Sequence, residues 1–458
     1  MEIFKLICCI TASTFIGFNI LYLAAGRSLR LYLPEALAVS FGLGLGSVSL
    51  EMLLFFLLRY DFNIPWLLAP WAAVFAVNIV MFIRGKSLPI AGIPPGALKP
   101  YGALDIFLAA GISFEVIYAF FRALIKPIES YDAVAIYAIK SKIFYLARSI
   151  PHDYFSGLAT LFPHPDYPLN IPLAETFLYI GMGDLNDQLV KVIFPLFFAG
   201  ILCMLYCAVR RFASRTYALL FTFLLASIPQ FNAYATNAYL ELPLAFYYCA
   251  SALLLFRWFE NKEEVSFLVV SSVMVALAGW TKNEGLMYCL INIILLSIFL
   301  ISGSKTALKE KILYLSGYSG IALGLSLPWL AVKKAFQFVN SDIGIISMNP
   351  FYLYKQSYKI WLILYDFQKH VIGPKKWNII WAAFILVLIL YHKDMLKGTR
   401  KYLAISLALA VSGYIFAYLF SVINFQLLVS TTLSRFLLHF LPLAVLLMAM
   451  ALREDAGL

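Results

Sequence analysis

Asp132 lies in Glu129-Ser130-Tyr131-Asp132-Ala133-Val134, just past an apolar run that ends near Phe121. Four other polar stretches accompany it. They are Phe162-Pro163-His164-Pro165-Asp166-Tyr167-Pro168, Tyr239-Leu240-Glu241-Leu242-Pro243, Thr281-Lys282-Asn283-Glu284-Gly285, and Ser434-Arg435 followed by Pro442. Each borders an apolar run. Ionisable groups beside or inside membrane spans are costly, so a set of them marks a site by default. The residue types suit transfer from a lipid-linked phosphate. A carboxylate takes the proton of an acceptor hydroxyl. Cations, or a divalent metal, hold the phosphate that leaves.

Each residue also has a plain reading. Asp132 with Ser130 can cap a helix. His164 between prolines suits a surface loop, and Asp166 a turn. Glu241 can be solvated at an interface. Lys282 and Glu284 can form only a polar hairpin, and Arg435 can reach to headgroups.

The elements that position these residues are membrane helices. Of 458 residues, 62% are hydrophobic and 13% charged, about half the charge of a soluble domain. The expected fold class is therefore all-α and polytopic, with about thirteen spans. They lie near 4–25, 34–58, 62–83, 103–121, 188–209, 214–232, 238–258, 265–281, 285–301, 312–332, 376–391, 402–424 and 435–452. The first run, ending in Ala24-Ala25-Gly26, is read as an uncleaved helix because it has full spanning length.

The net charge of +11 is read as loop charge that sets orientation, not as nucleic-acid binding. One alternating set of loops carries Arg27 and Arg30, then Arg84, Lys86 and Lys99, then Arg210, Arg211 and Arg215. It continues with Arg257 and Lys262, Lys305, Lys309 and Lys311, and Lys393, Lys397, Arg400 and Lys401. That set is expected to be cytoplasmic. All five polar features then face outward: two in external loop 122–187, one just after 233–237, one at the 281–285 hairpin and one just after 425–434, with external loop 333–375 on the same side. Lys140, Lys142 and Arg148 break the charge rule. Residues 133–147, with Ile136, Ile139, Ile143 and Leu146 at helical spacing, are expected to form an interfacial helix that keeps those cations at the headgroups.

Two regions are expected. Residues 1–100 hold three leading spans and a linker at Pro94-Pro95-Gly96, and 101–458 form the module that carries the polar features. The six cysteines all fall in apolar runs and are read as packing residues.

The ordered strings resemble the GT-C superfamily of integral membrane glycosyltransferases. The similarity is to the bacterial branch related to protein O-mannosyltransferases and lipid A aminoarabinose transferases. Tyr131-Asp132-Ala133 stands where that branch has its first-loop acid, without a second acid beside it. The His-Pro stretch, the Tyr-x-acid-Leu-Pro string, the Thr-Lys-x-Glu-Gly hairpin and the Ser-Arg span follow in order. Glu241 replaces the commoner Asp, and three extra spans precede the module.

The resemblance implies inverting transfer from a polyprenyl-phosphate sugar donor to a hydroxyl on a glycan, lipid or protein acceptor. It implies a bacterial inner membrane location, with the site facing the periplasm. Asp132 is implied as general base. Lys282, Arg435 and His164 are implied to contact the donor phosphate. Asp166, Glu241, Glu284 and Tyr131 are implied to orient sugar or acceptor, or to hold a divalent ion such as Mg or Mn. No metal ligand set is fixed by the sequence. Tyr352, Tyr354 and Tyr358 in loop 333–375 are candidates to cover the substrate. The rival readings are a transporter or flippase of lipid-linked sugars, and a non-catalytic glycan-binding membrane protein. Transporters usually carry charges near the midplane in both halves, whereas here they gather at one face and Glu51 is the main isolated acid deep in a span.

Overall fold

The computed structural model describes residues 1–25, 29–92, 100–156, 164–302, 306–338, 354–421 and 425–453. Arg27, Pro94-Pro95-Gly96, Lys99, Phe162, Pro163, Lys305 and Tyr352 lie outside them. The described chain is all-α apart from one isolated bridge between Leu31 and Ile90.

The helices run in order α1 (Glu2–Ala24), α2 (Leu33–Leu57), α3 (Ile64–Ile83), α4 (Ala103–Ile125), α5 (Ile139–Ala147), α6 (Asn170–Met182) and α7 (Asp187–Val190). Next come α8 (Ile193–Arg210), α9 (Arg215–Ala226), α10 (Pro229–Tyr234), α11 (Glu241–Glu260), α12 (Val265–Thr281) and α13 (Glu284–Ser302). The series ends with α14 (Leu308–Gly324), α15 (Leu327–Ala335), α16 (Tyr358–Ile372), α17 (Ile380–Leu390), α18 (Arg400–Phe420) and α19 (Phe425–Ala451).

Every apolar segment read from the sequence is helical. Not every one has spanning length. Among the described residues nine helices are long and apolar enough to cross a membrane, with α7 and α8 taken as one. The pair α14 and α15, bent by 46° at its break, makes ten. Helices α9, α12 and α17 are shorter, so the expected thirteen is not reached by length. At 17 residues α12 rises about 26 Å, just under a hydrocarbon core of about 30 Å.

The hub is α11, whose side chains are almost all buried. It packs on α12, α19, α8 and α13. Helix α2 leans on α1, α8 and α6. By contrast α3 and α4 leave long apolar faces uncovered, as lipid-facing helices do.

Three sequence expectations change here. First, the stretch after Asp132 starts as a π-turn, Ala133–Ala138, before continuing as α5. Its inward face carries polar groups: Lys140 and Ser141 are fully buried while Leu146 is exposed. Lys140 therefore does not reach the headgroups; its Nζ donates to the His164 carbonyl at 2.8 Å. Second, the last helix begins at Phe425, ten residues before Arg435. Arg435 thus lies inside a helix rather than at its mouth. Third, the expected loop 333–375 contains α16, which packs on α19.

Candidate active site

Helix ends place the acids and one of the bases. Glu241 opens α11 and Glu284 opens α13, where the positive end of each helix dipole favours a carboxylate. Lys282 follows the last residue of α12, the end that favours a cation. The α12–α13 hairpin is tight: a Cβ on Gly285 would stand 2.0 Å from the Ala278 carbonyl oxygen. Only glycine permits that approach.

A buried network anchors this hairpin to the bundle. Thr281 Oγ1 accepts from Asn170 Nδ2 at 2.8 Å, and Ser49 Oγ donates to Asn170 Oδ1 at 2.6 Å. Trp280 Nε1 donates to Ser49 Oγ at 2.8 Å. Helices α2, α6 and α12 are thereby tied at one point, each partner satisfied in a low-dielectric setting.

Around the hairpin the sequence candidates converge. Arg435 Nη1 donates to Asp132 Oδ2 at 2.5 Å and lies 3.8 Å from Glu241 Oε1. Its guanidinium also stacks over Tyr239, 4.9 Å from the ring centre. Lys282 Nζ contacts Glu241 Oε1 at 3.2 Å and Glu284 Oε1 at 3.0 Å. Burial disfavours the Lys282 ammonium, but Glu241 and Glu284 outweigh it and hold its pKa above the ordinary lysine value. Asp166 is buried and accepts from Asn283 Nδ2 at 3.0 Å.

These contacts decide the plain readings. Asp132 makes no side-chain cap hydrogen bond; its carboxylate turns to Arg435. Glu241 is 1% exposed, so it is not solvated. Arg435 is held by carboxylates and a ring, not by headgroups. His164 takes a left-handed backbone (φ 57°), and its ring stacks on Tyr167 at 4.4 Å. It touches the site through its carbonyl on Lys140. Tyr131 does not join the cluster: it is 80% exposed. Tyr354 and Tyr358 are exposed too.

Several residues escaped the sequence reading. Tyr137 is buried and senses the charges of Lys282, Glu241, Glu284 and Asp132. Burial leads in pushing its hydroxyl pKa up, so it stays a neutral hydrogen-bonding group. Lys140 is buried within reach of the Asp166 charge; desolvation pulls its pKa down to about 7. His439 is fully buried one turn beyond Arg435, with Nδ1 2.5 Å from the Tyr414 hydroxyl and Nε2 without a partner. Ala238, next to Tyr239, holds φ 60°, a strained value for a residue with a Cβ. The i,i+4 spacing of Arg435 and His439 was visible in sequence; the π-turn that points Tyr137 inward was not.

Among the described residues no three His, Cys, Asp or Glu side chains gather as a metal shell. The carboxylates of Asp132, Glu241 and Glu284 are each paired with Arg435 or Lys282. The arrangement offers instead a base candidate, two cations and an unpartnered carboxylate oxygen, Glu241 Oε2.

Residues 164–331 match the family model described as dolichyl-phosphate-mannose-protein mannosyltransferase. Two solved structures from Archaeoglobus fulgidus show partial likeness. One is the oligosaccharyltransferase in complex with zinc and sulfate, at 12% identity over 76% of this chain and 48% of that one, with a TM-score of 0.48. The other is the archaeal oligosaccharyltransferase AglB with an inhibitory peptide and a dolichol-phosphate, at 12% identity over 75% and 50%, with a TM-score of 0.45. The chain spans about half the length of these structures. No curated protein matches it. The family match across residues 164–331 agrees, over that segment, with the resemblance drawn from the sequence.

Proposed function

We propose that the protein transfers a sugar from a polyprenyl-phosphate donor to a hydroxyl acceptor, with inversion, at a site facing the periplasm of a bacterial inner membrane. Residues 101–458 are the proposed catalytic module. The observation that carries the reading is the joining of Asp132, Arg435, Glu241, Lys282 and Glu284 into one ion-paired cluster. These residues come from the first loop, two helix starts, a hairpin and the last helix. The matched family's printed name supplies the donor class, a lipid-phosphate sugar.

In the proposed step Asp132 accepts the acceptor's hydroxyl proton. The freed oxygen attacks the anomeric carbon, and the bond from that carbon to the phosphate oxygen breaks. Prenyl phosphate leaves with the electron pair. Arg435 and Lys282 then shift part of their charge from the carboxylates to the leaving phosphate. Glu241 Oε2, with no partner of its own, accepts from a hydroxyl of sugar or acceptor. No step is routed through a metal.

The test is sugar release from a polyprenyl-phosphate donor by purified protein in proteoliposomes. Wild type should consume donor in the presence of cell-envelope acceptor. Asp132→Asn should consume at least about a hundredfold less while folding and binding donor normally. Asn at 132 with wild-type turnover removes Asp132 as base.

A further inference from the structure

Helix α16 is turned inside out for a helix in water. From Tyr358 to Tyr365 its exposed residues are Tyr358, Ile360, Trp361, Leu364 and Tyr365, each 39–75% exposed. The two charged residues of its first ten positions, Lys359 and Asp366, face the protein. Lys359 is buried, its ammonium 5.2 Å from the centre of the Phe425 ring, and Asp366 is half-buried. A helix at a protein–water boundary shows the reverse, with apolar residues inward and charges outward. Tyr354, just before the helix, is exposed as well and extends the outer stripe, since 354, 358, 361 and 365 recur at helical spacing.

Among the described residues nothing covers this face, while the other side of α16 packs on α17, α18 and α19. The contact with Phe425 puts α16 at the half of α19 that carries Arg435, the side proposed to face the periplasm. The residue types say what the face meets. A sugar-binding stripe needs hydrogen-bonding side chains beside its rings, and the exposed neighbours here are Ile360 and Leu364. Tyrosine and tryptophan rings among aliphatic side chains are the composition of a membrane interface. Past the stripe, exposed Lys369, Lys375 and Lys376 supply cations, as interfacial helices do toward anionic headgroups. The next helix, α17, is wholly apolar and leaves Leu386, Ile389 and Leu390 exposed, so the face leads into a lipid-facing surface. At 15 residues α16 rises about 22 Å, short of a hydrocarbon core of about 30 Å, which suits a helix lying along the interface rather than crossing it.

We propose that α16 lies in the outer interface of the bilayer, with its Tyr354, Tyr358, Trp361 and Tyr365 face among the lipids and its Lys359 and Asp366 side closed against the protein. The segment that links α15 to α17 is then a membrane-embedded wall and not a water-exposed loop. The proposal stands independently of the sugar-transfer reading.

The experiment uses the full chain in nanodiscs of phosphatidylethanolamine and phosphatidylglycerol. A photoreactive benzophenone amino acid is placed singly at position 361, 365, 359, 77 or 263. Val77 is exposed on the lipid-facing helix α3, and Glu263 is exposed in the α11–α12 loop. Illumination followed by mass spectrometry should give phospholipid adducts at 361 and 365 as abundant as at 77, and few at 359 and 263. No phospholipid at either 361 or 365 overturns the proposal. So does phospholipid at 359 with none at 361, which would mean that the helix faces the other way. Adducts at 361 to a second copy of the chain, or to cell-envelope glycan added to the solution, overturn it in favour of a protein or glycan surface. Hydrogen exchange gives a second readout. Trp361→Glu should speed exchange of the α16 amides about tenfold or more, because a carboxylate is disfavoured among lipids, while Trp361→Phe stays close to wild type. Equal exchange in the two variants overturns the proposal.

Discussion

Arg435 and Asp132, 303 residues apart in sequence, meet at 2.5 Å in the structure. The pair joins the last helix to the start of the first loop's helical segment. It also means that the proposed base rests against the cation proposed to receive the leaving phosphate. Base and cation should then behave as one unit. In a double-mutant cycle, Asp132→Asn and Arg435→Ala should each reduce transfer by about a hundredfold or more. The double variant should be little worse than either, because coupled groups do not add. Losses that multiply would show two independent roles. Arg435→Lys should recover only part of the activity, since lysine keeps the charge but loses the planar fork and the stacking on Tyr239.

Lys282 and Glu241 are a different case, because both are nearly removed from solvent, with side chains 7% and 1% exposed. Truncating one member leaves the other charged and buried, at a cost of about 3–5 kcal/mol. Lys282→Ala should therefore lower thermal stability more than Arg435→Ala, whose partner Asp132 is 21% exposed. The paired replacement Lys282→Met with Glu241→Gln should restore much of the stability and none of the activity. Unfolding followed by intrinsic fluorescence separates the two readouts. Equal stability losses for Lys282→Ala and Arg435→Ala would contradict the burial argument.

What the sequence made legible follows from which signals are local. Apolar runs mark helices one by one, so all the expected segments are helical. Polar residues bordering the apolar runs singled out Asp132, Glu241, Lys282, Glu284 and Arg435, and the structure brings these five into contact. The chain's three-dimensional economy was harder to read. Nothing local distinguishes the π-turn at 133–138 from α-helix, yet that turn puts Tyr137 inside and Lys140 beneath the loop. Tyr131 was grouped with Asp132 by adjacency, but neighbours on a helical turn point about 100° apart, and Tyr131 faces outward. Polar residues such as Asn170, Ser49 and Thr281 look like ordinary helix content in sequence; their value lies in meeting each other.

Two buried groups under α5 give stability a particular pH dependence. Glu175 accepts from Ser141 Oγ at 2.5 Å, and burial pushes its pKa from 4.5 up to about 7. A raised carboxyl pKa means the fold binds the proton more tightly than the unfolded chain. Its contribution is present below pH 4.5 and is lost as pH rises through about 7. Lys140 runs the other way, its pKa lowered by burial from 10.5 to about 7. Its contribution is present above pH 10.5 and is lost as pH falls through about 7. Stability should therefore dip near neutral pH. Thermal unfolding from pH 5 to 10 checks this: Glu175→Gln should flatten the acid side of the dip and Lys140→Met the alkaline side. A single monotonic trend in wild type, unchanged by either variant, rules the pair out as its source.

Gly285→Ala tests whether the hairpin must be this tight. The added methyl would fall 2.0 Å from the Ala278 carbonyl oxygen, and both sides of that contact are backbone. Neither side can rotate away, so α12 and α13 must separate. Overpacking of this kind costs about 1–3 kcal/mol, and the separation pulls Lys282 off Glu241. Stability and turnover should fall together, with turnover falling further. Gly279→Ala is the matched control, since its methyl would meet the flexible end of Leu286 at 3.1 Å. That variant should stay folded and active. If Gly285→Ala is as active as Gly279→Ala, the hairpin tolerates a wider crossing, and the placement of Lys282 does not depend on the glycine.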